Sequence, residues 1–298
     1  MLDYRVETFL TVCQTRNYTR AAQMLNITQP AVSQHIKYLE EYFSVKLFDM
    51  RGKMIYLTSE GEEVYHLARI FNLNITKFKE HLLTDTGSKE ISVGATKTIG
   101  EFIMPPIIAS YVKEYPNRIM KMKVDSTSTL LEKVKYGELD FAFIEGPFDE
   151  QEFNVLEFME ERYIPVCSPE FKFAGSEVTI HDLMNYPLIL KEESRDGRSD
   201  IEQWLLQINH SINNFKVVHL VDSLLVVKEM VKNNIGISFL YETSVREELL
   251  NGSLVTIPIK NYDVKRKFKF VYRKYSNYDQ EYLDFFDFCD DQRRILCL

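Results

Sequence analysis

The stretch Thr28-Gln29-Pro30-Ala31-Val32-Ser33-Gln34 decides the reading of the first domain. Thr28 is a suitable N-cap, Pro30 falls in the first turn where its missing N–H costs nothing, and Val32, Ile36, Leu39 and Phe43 follow at helical spacing. This predicts a helix with one buried face, whose other face presents Gln29, Ser33, Gln34 and Lys37. These are hydrogen-bonding side chains of the kind that reach base edges and phosphates from the major groove.

Upstream, Leu2, Val6, Phe9, Leu10 and Cys13 predict an opening helix, and Thr19 an N-cap for a short helix through Leu25 that carries the small pair Ala21-Ala22. Asn26-Ile27 makes the turn into the third helix. Downstream, Leu47-Phe48 and Ile55-Tyr56-Leu57 flank a turn at Arg51-Gly52-Lys53 and read as a β-hairpin wing. The pattern fits a winged helix-turn-helix, and equally a small three-helix bundle with solvated polar residues.

At this point the residues carry a resemblance. Ala21-Ala22, Leu25, Thr28 to Gln34, Ile36, Leu39-Glu40-Glu41, Val45-Lys46-Leu47-Phe48 and Leu57-Thr58-Ser59-Glu60-Gly61 resemble, without a gap, the N-terminal signature of LysR-type transcriptional regulators. Ser44 replaces the Gly usual in that family, and Met50 stands where Arg is common, with Arg51 one place later. The resemblance implies DNA binding through Thr28, Gln29, Pro30, Ser33, Gln34, Lys37, Arg51 and Lys53, a homodimer or homotetramer, and a small-molecule effector.

Charge alone would argue against nucleic acid. The chain has 36 Lys and Arg against 44 Asp and Glu, a net charge of −8. The first sixty residues are less acidic than the rest, with a balance of one positive charge. A hydrophobic content of 45% in 298 residues, with 11 Gly and 9 Pro, excludes disordered and collagen-like classes. Four Cys, at 13, 167, 289 and 297, form no CxxC pair, and the six His are scattered, so no metal and no cofactor is expected. The opening residues lack an apolar core, and no long apolar run follows, so a cytoplasmic protein without a membrane span is expected.

Ser59 and Glu62 predict a capping box opening a long helix with an apolar stripe through Leu67, Phe71, Ile75 and Phe78. The stripe is either a dimerisation seam, as in the family's linker helix, or a face packed on its own domain. Thr84 to Ser88 reads as a hinge. Beyond it strands and helices alternate, which predicts an α/β domain, in the place where the resemblance implies an effector domain. Through Gly137-Glu138-Leu139-Asp140, Asn234-Ile235-Gly236-Ile237 and Asn251-Gly252-Ser253-Leu254 it resembles the two-lobed, type 2 periplasmic-binding-protein-like architecture of LysR effector domains. The expected organisation is a winged helix-turn-helix at 1–58, a linker helix and hinge at 59–87, lobe I at 88–146 with 268–298, and lobe II at 147–267.

In open α/β sheets ligands bind where strand ends meet helix N-termini. Thr96-Lys97-Thr98, Ser126-Thr127-Ser128 and Asp222-Ser223 are three such junctions. Thr98 with Glu101 and Thr129 with Glu132 also fit capping boxes, which would exist without any ligand, and Thr96 and Thr127 lie outside them. In related sulfur-metabolism regulators of the family, the hydroxyls at the positions of Thr96 and Thr98 contact an effector anion. Arg198, with Lys191 and Arg195, either clamps an anion or pairs with Glu192, Glu193 and Asp196, and Glu145 is either a cleft group or part of a hinge. The candidate effector residues are therefore Thr96, Thr98, Ser126, Thr127, Glu145, Arg198 and Ser223, with an anion expected. No GxGxxG, Walker A, HExxH or GxSxG occurs, and Trp204 has core spacing. The reading is a regulator and not an enzyme, the alternative being a solute-binding protein or enzyme on the same scaffold.

Overall fold

The computed structural model describes residues 3–51, 54–83, 90–191, 200–274 and 279–296, and at 51, 54, 73, 74 and 76–83 the backbone only. Lys53, Arg195, Arg198 and the hinge at 84–88 lie outside it, as do the side chains of Arg51 and Phe78. The chain forms two compact units, one of Met1–Glu90 with Asn117–Ile119 and Tyr136–Glu138, the other of the remainder.

The first unit opens with α1 (Tyr4–Thr15), α2 (Tyr18–Leu25) and α3 (Gln29–Phe43). Asp3 caps α1, and Thr28 caps α3 as expected, with Pro30 in its first turn. The cap of α2 is Asn17 rather than Thr19, which sits one residue inside the helix; the Asn17 carboxamide accepts the amide of Arg20 at 2.9 Å. Phe9, Val12, Ala21, Ala22, Val32, Ile36 and Leu39 form the core. Phe43, expected in that core, is 37% exposed, because the helix ends there. All three helices terminate in a left-handed residue that is not Gly: Arg16, Asn26 and Ser44, with φ of 50°, 54° and 57°. Strands β1 (Phe48–Arg51) and β2 (Met54–Leu57) pair antiparallel as the wing.

The long helix α4 (Ser59–Leu83) follows. Its cap is Thr58, not Ser59: the Thr58 hydroxyl accepts from the Gly61 amide at 2.8 Å and donates to the Lys46 carbonyl at 2.5 Å, while Ser59 donates to Glu60. This ties the helix start to the segment leading into the wing. Ala68 is buried in the core of this unit and Val64 and Tyr65 pack on it.

The second unit begins with β3 (Glu90–Ala95), a π-turn at Ile99–Ile103 running into α5 (Met104–Glu114), β4 (Ile119–Val124), α6 (Thr127–Lys135) and β5 (Phe141–Ile144). The long β6 (Phe153–Cys167) leads to α7 (Ile180–Leu183), β7 (Pro187–Lys191), α8 (Asp200–Gln207), β8 (Val217–Val221), α9 (Leu224–Lys232), β9 (Ser238–Tyr241), α10 (Arg246–Asn251), β10 (Val255–Thr256), β11 (Val264–Arg273) and α11 (Asp279–Ile295). The main sheet has the order β10-β6-β11-β5-β3-β4, with β9 also on β6; β7 and β8 form a parallel pair.

Strands β6 and β11 pair antiparallel along their length and run through both lobes. In lobe I the sheet is covered on both sides, so β5 is apolar at every position. Phe141 and Phe143 face α5 and α11, and Ala142 and Ile144 face α6. In lobe II the same alternation sends Tyr163 and Cys167 into one core and Ile164 and Val166 into another, beneath α9. Trp204 lies partly buried against Tyr262, as its spacing implied. Asp140 is buried, accepting from the Ser92 amide at 2.8 Å and the Tyr282 hydroxyl at 3.1 Å, and so joins β3 to α11.

Candidate functional site

On α3 the capped N-terminus projects Gln29, Pro30, Gln34 and Lys37 into solvent, with Ser33 half-buried beside them. Gln29 donates to the Ser33 hydroxyl at 2.9 Å, which orders both side chains on the exposed face. Lys37 lies 3.7 Å from Glu41, with both side chains well exposed, so this pair is weak and the ammonium is readily exchanged to another anion. Met50 is exposed on the wing. On α4, Leu67 and Phe71 are 46% and 53% exposed and Ile75 is half-buried, while the neighbouring Ala68 faces the domain's own core. The long helix therefore has two apolar faces, one covered within the unit and one not.

In the second unit the C-terminal ends of β3, β4 and β5 converge. The Thr96 amide donates to the Phe143 carbonyl at 3.0 Å and the Asp125 amide to the Ala95 carbonyl at 3.3 Å. Thr96, Thr98, Thr127 and Glu145 are thereby gathered at one edge. Thr98 does not form the expected capping box with Glu101. It is already helical, and its buried hydroxyl donates to the Glu145 carboxylate at 3.2 Å. Thr127 donates to the Glu145 main-chain carbonyl at 2.9 Å. Thr129 lies inside α6 rather than at its start, so it cannot form a capping box with Glu132; the cap is Ser126, whose hydroxyl accepts the Thr129 amide. Glu145, just after β5, is thus held by both threonines and is followed by Gly146 with φ of 90°.

Thr96 stands apart. It is 4% exposed, its carbonyl accepts the Gly100 amide at 2.7 Å to begin the helix, and its hydroxyl oxygen has no hydrogen-bond partner among the described residues. A buried hydroxyl without a partner is costly, and this one lies where a strand end meets a helix N-terminus. Across the cleft, Ser223 begins α9 with no capping bond from its side chain. Beside it, Lys97 donates to the Asp222 carbonyl at 3.2 Å. This contact spans 125 residues, and the sequence gives no signal for it beyond the two polar junctions that hold its ends. No group of His, Cys, Asp and Glu among the described residues has the arrangement of a metal site, and no described helix is long and apolar enough to cross a membrane.

The comparisons with known proteins agree on one family. Residues 4–62 match the bacterial regulatory helix-turn-helix proteins of the lysR family, and residues 84–294 match the LysR substrate binding domain. The HTH-type transcriptional regulator CysL of Bacillus subtilis is 30% identical over 272 residues, covering 90% of this chain and 89% of CysL. The transcriptional activator CmpR of Synechocystis is 24% identical, over 91% and 89% of the two chains. Among solved structures, ArgP from Mycobacterium tuberculosis superposes with a TM-score of 0.76 at 17% identity, each chain covered to 97%. Full-length LysG of Corynebacterium glutamicum, with its effector Arg bound, gives 0.72 at 16% identity, over 98% and 99% of the two chains. With a helix-turn-helix that binds DNA and a two-lobed domain that binds a small effector, the chain belongs to the LysR family of transcriptional regulators.

Proposed function

We infer that α3 reads operator DNA through Gln29, Ser33 and Gln34, with Thr28, Pro30, Lys37, Arg51 and Lys53 on the phosphates, and that the effector is a small anion held at the ends of β3 to β5. The observation that carries the anion reading is the buried hydroxyl of Thr96, without a partner among the described residues, at the N-terminus of a helix. Thr98 and Thr127 contribute by fixing Glu145, and Ser126, Ser223 and Arg198 complete the candidate set. The stripe of α4 through Leu67, Phe71, Ile75 and Phe78, of which Leu67 and Phe71 are exposed, joins two copies, which spaces two reading helices on adjacent half-sites. This division of labour goes with an organisation at 1–58, 59–87, 88–146 with 268–298, and 147–267, in which the start of β6, with Phe153 and Phe158, packs in lobe I.

The protein works in the cytoplasm by binding and not by catalysis, in keeping with the transcriptional regulators it is similar to. Thiol chemistry is disfavoured as a signal at the three cysteines among the described residues. Burial pushes the thiols of Cys13 and Cys167 up to about 12, and burial together with Asp290 raises Cys289 well above its usual range, so little thiolate exists at neutral pH.

The experiment is a thermal-shift screen of small anions on the full chain, followed by titration of Thr96→Val. The variant should keep its apo stability and lose about 1.5 to 3 kcal/mol of anion affinity. Unchanged affinity in both Thr96→Val and Thr127→Val would move the site elsewhere.

A further inference from the structure

Lys97 sits between the two threonines that line the effector position, yet its side chain reaches over the cleft. Its Nζ donates to the main-chain carbonyl of Asp222 at 3.2 Å and lies 4.0 Å from the Asp222 carboxylate. The Lys97 side chain is 38% exposed and that of Asp222 86%, so water screens the pair and little holds it together.

A second contact joins the same helix to lobe II. Phe102, in the π-turn, packs on the lobe II core, and the Lys228 ammonium lies 5.2 Å from its ring centroid. This apolar seat fixes the start of the helix against α9 whether or not Lys97 is engaged, so Lys97 can change partner without the lobes separating. The residue next to it, Thr96, presents a buried hydroxyl with no partner among the described residues. An anion bonded by that hydroxyl and by the first amides of the helix would also draw the ammonium of Lys97, since charge-assisted hydrogen bonds are stronger than neutral ones.

We propose that Lys97 is an effector-binding cation that Asp222 holds across the cleft as an internal stand-in for the anion, so that anion binding and the Lys97–Asp222 tie exclude one another. The inference rests on the anion reading of the cleft and adds to it a further binding residue and a built-in competitor. Linkage makes the relationship reciprocal: whatever weakens the tie tightens the anion.

The test uses the full chain and inorganic sulfate at constant ionic strength set with chloride, with affinity taken from the sulfate dependence of Tm. Lys97→Met keeps the aliphatic stem, removes the charge and should weaken sulfate about tenfold. Asp222→Asn keeps the main-chain carbonyl, removes the carboxylate and should tighten sulfate roughly two- to fivefold, the range of an exposed pair. The double variant should bind like Lys97→Met alone, because the carboxylate acts only through Lys97. Sulfate binding that Thr96→Val weakens but Lys97→Met and Asp222→Asn leave unchanged would overturn the tie and preserve the anion reading. An Asp222→Asn gain that persists without Lys97 would also overturn it. Absence of saturable binding by the wild-type chain would defeat both.

Discussion

Gly61, in the first turn of α4, lies so close to the main chain that a methyl group there would overlap the carbonyl oxygen of Leu47. The approach is forced by Thr58, which bonds both the Gly61 amide and the Lys46 carbonyl, and whose own amide donates to Leu47 at 3.1 Å. The linker helix is thereby clamped to the segment entering the wing. Gly61→Ala must move main chain against main chain, and should cost about 1 to 3 kcal/mol, as overpacking does. Chemical denaturation of the full chain checks this, and a variant as stable as wild type would show that the clamp yields without cost.

Much of this clamp was legible as a motif but not as a mechanism. Leu57-Thr58-Ser59-Glu60-Gly61 carries the family resemblance, and the local pattern predicts a capping box at Ser59, because a Ser is followed three residues later by Glu. The cap falls one residue earlier because Thr58 gains a second, non-local bond to Lys46 that no spacing rule contains. The same difference explains Thr98, whose hydroxyl turns to Glu145, 47 residues away, in place of Glu101. Periodicity carried the helices and strands well, since burial on one face is written into the sequence. The pairing of Lys97 with Asp222 depends on how two lobes meet, and a linear pattern does not record that.

Ser44 ends α3 in the left-handed region with φ of 57°, a conformation that a side chain disfavours by about 1 to 2 kcal/mol. Gly adopts it freely but loses more entropy on folding, at about 0.5 to 1 kcal/mol. Ser44→Gly should therefore stabilise the first unit by roughly 0.5 to 1 kcal/mol. A lower denaturation midpoint for the variant would mean that the serine makes a compensating contact.

Phe71 is half exposed on the uncovered face of α4, so charge placed there burdens only an assembly. Phe71→Glu should leave circular dichroism unchanged and shift the light-scattering mass toward monomer, since burying a carboxylate against apolar surface is strongly unfavourable. Full retention of the oligomer would place the dominant interface elsewhere.

Lys228 and Glu248 form an ion pair of 2.8 Å in lobe II, with each side chain 9% exposed. Burial opposes the Glu248 charge, but its hydrogen bonds and the attraction of Lys228 and Lys232 outweigh this and hold the carboxyl below its ordinary value. A carboxylate with a lowered folded pKa contributes fully above its unfolded pKa, near 4.5, and loses that contribution as pH falls through the folded value. Lys228→Met leaves a buried charge and should cost about 3 to 5 kcal/mol at neutral pH, toward the lower end because Lys232 lies 3.5 Å away. The deficit should shrink in acid. A deficit that is constant with pH would assign the loss to packing instead.

The most direct measurement is fluorescence anisotropy of the full chain on DNA from upstream of its own gene, across a salt series and against scrambled DNA, for wild type and three variants on α3. Ser33→Ala and Gln34→Ala should each reduce the preference for the cognate sequence by roughly 1 to 3 kcal/mol where a base contact is lost. Lys37→Ala should weaken both sequences alike and flatten the salt slope by about one unit. Unaltered preference and salt slope in all three variants, or cognate binding by a chain lacking residues 1–60, would contradict the assignment of operator reading to α3.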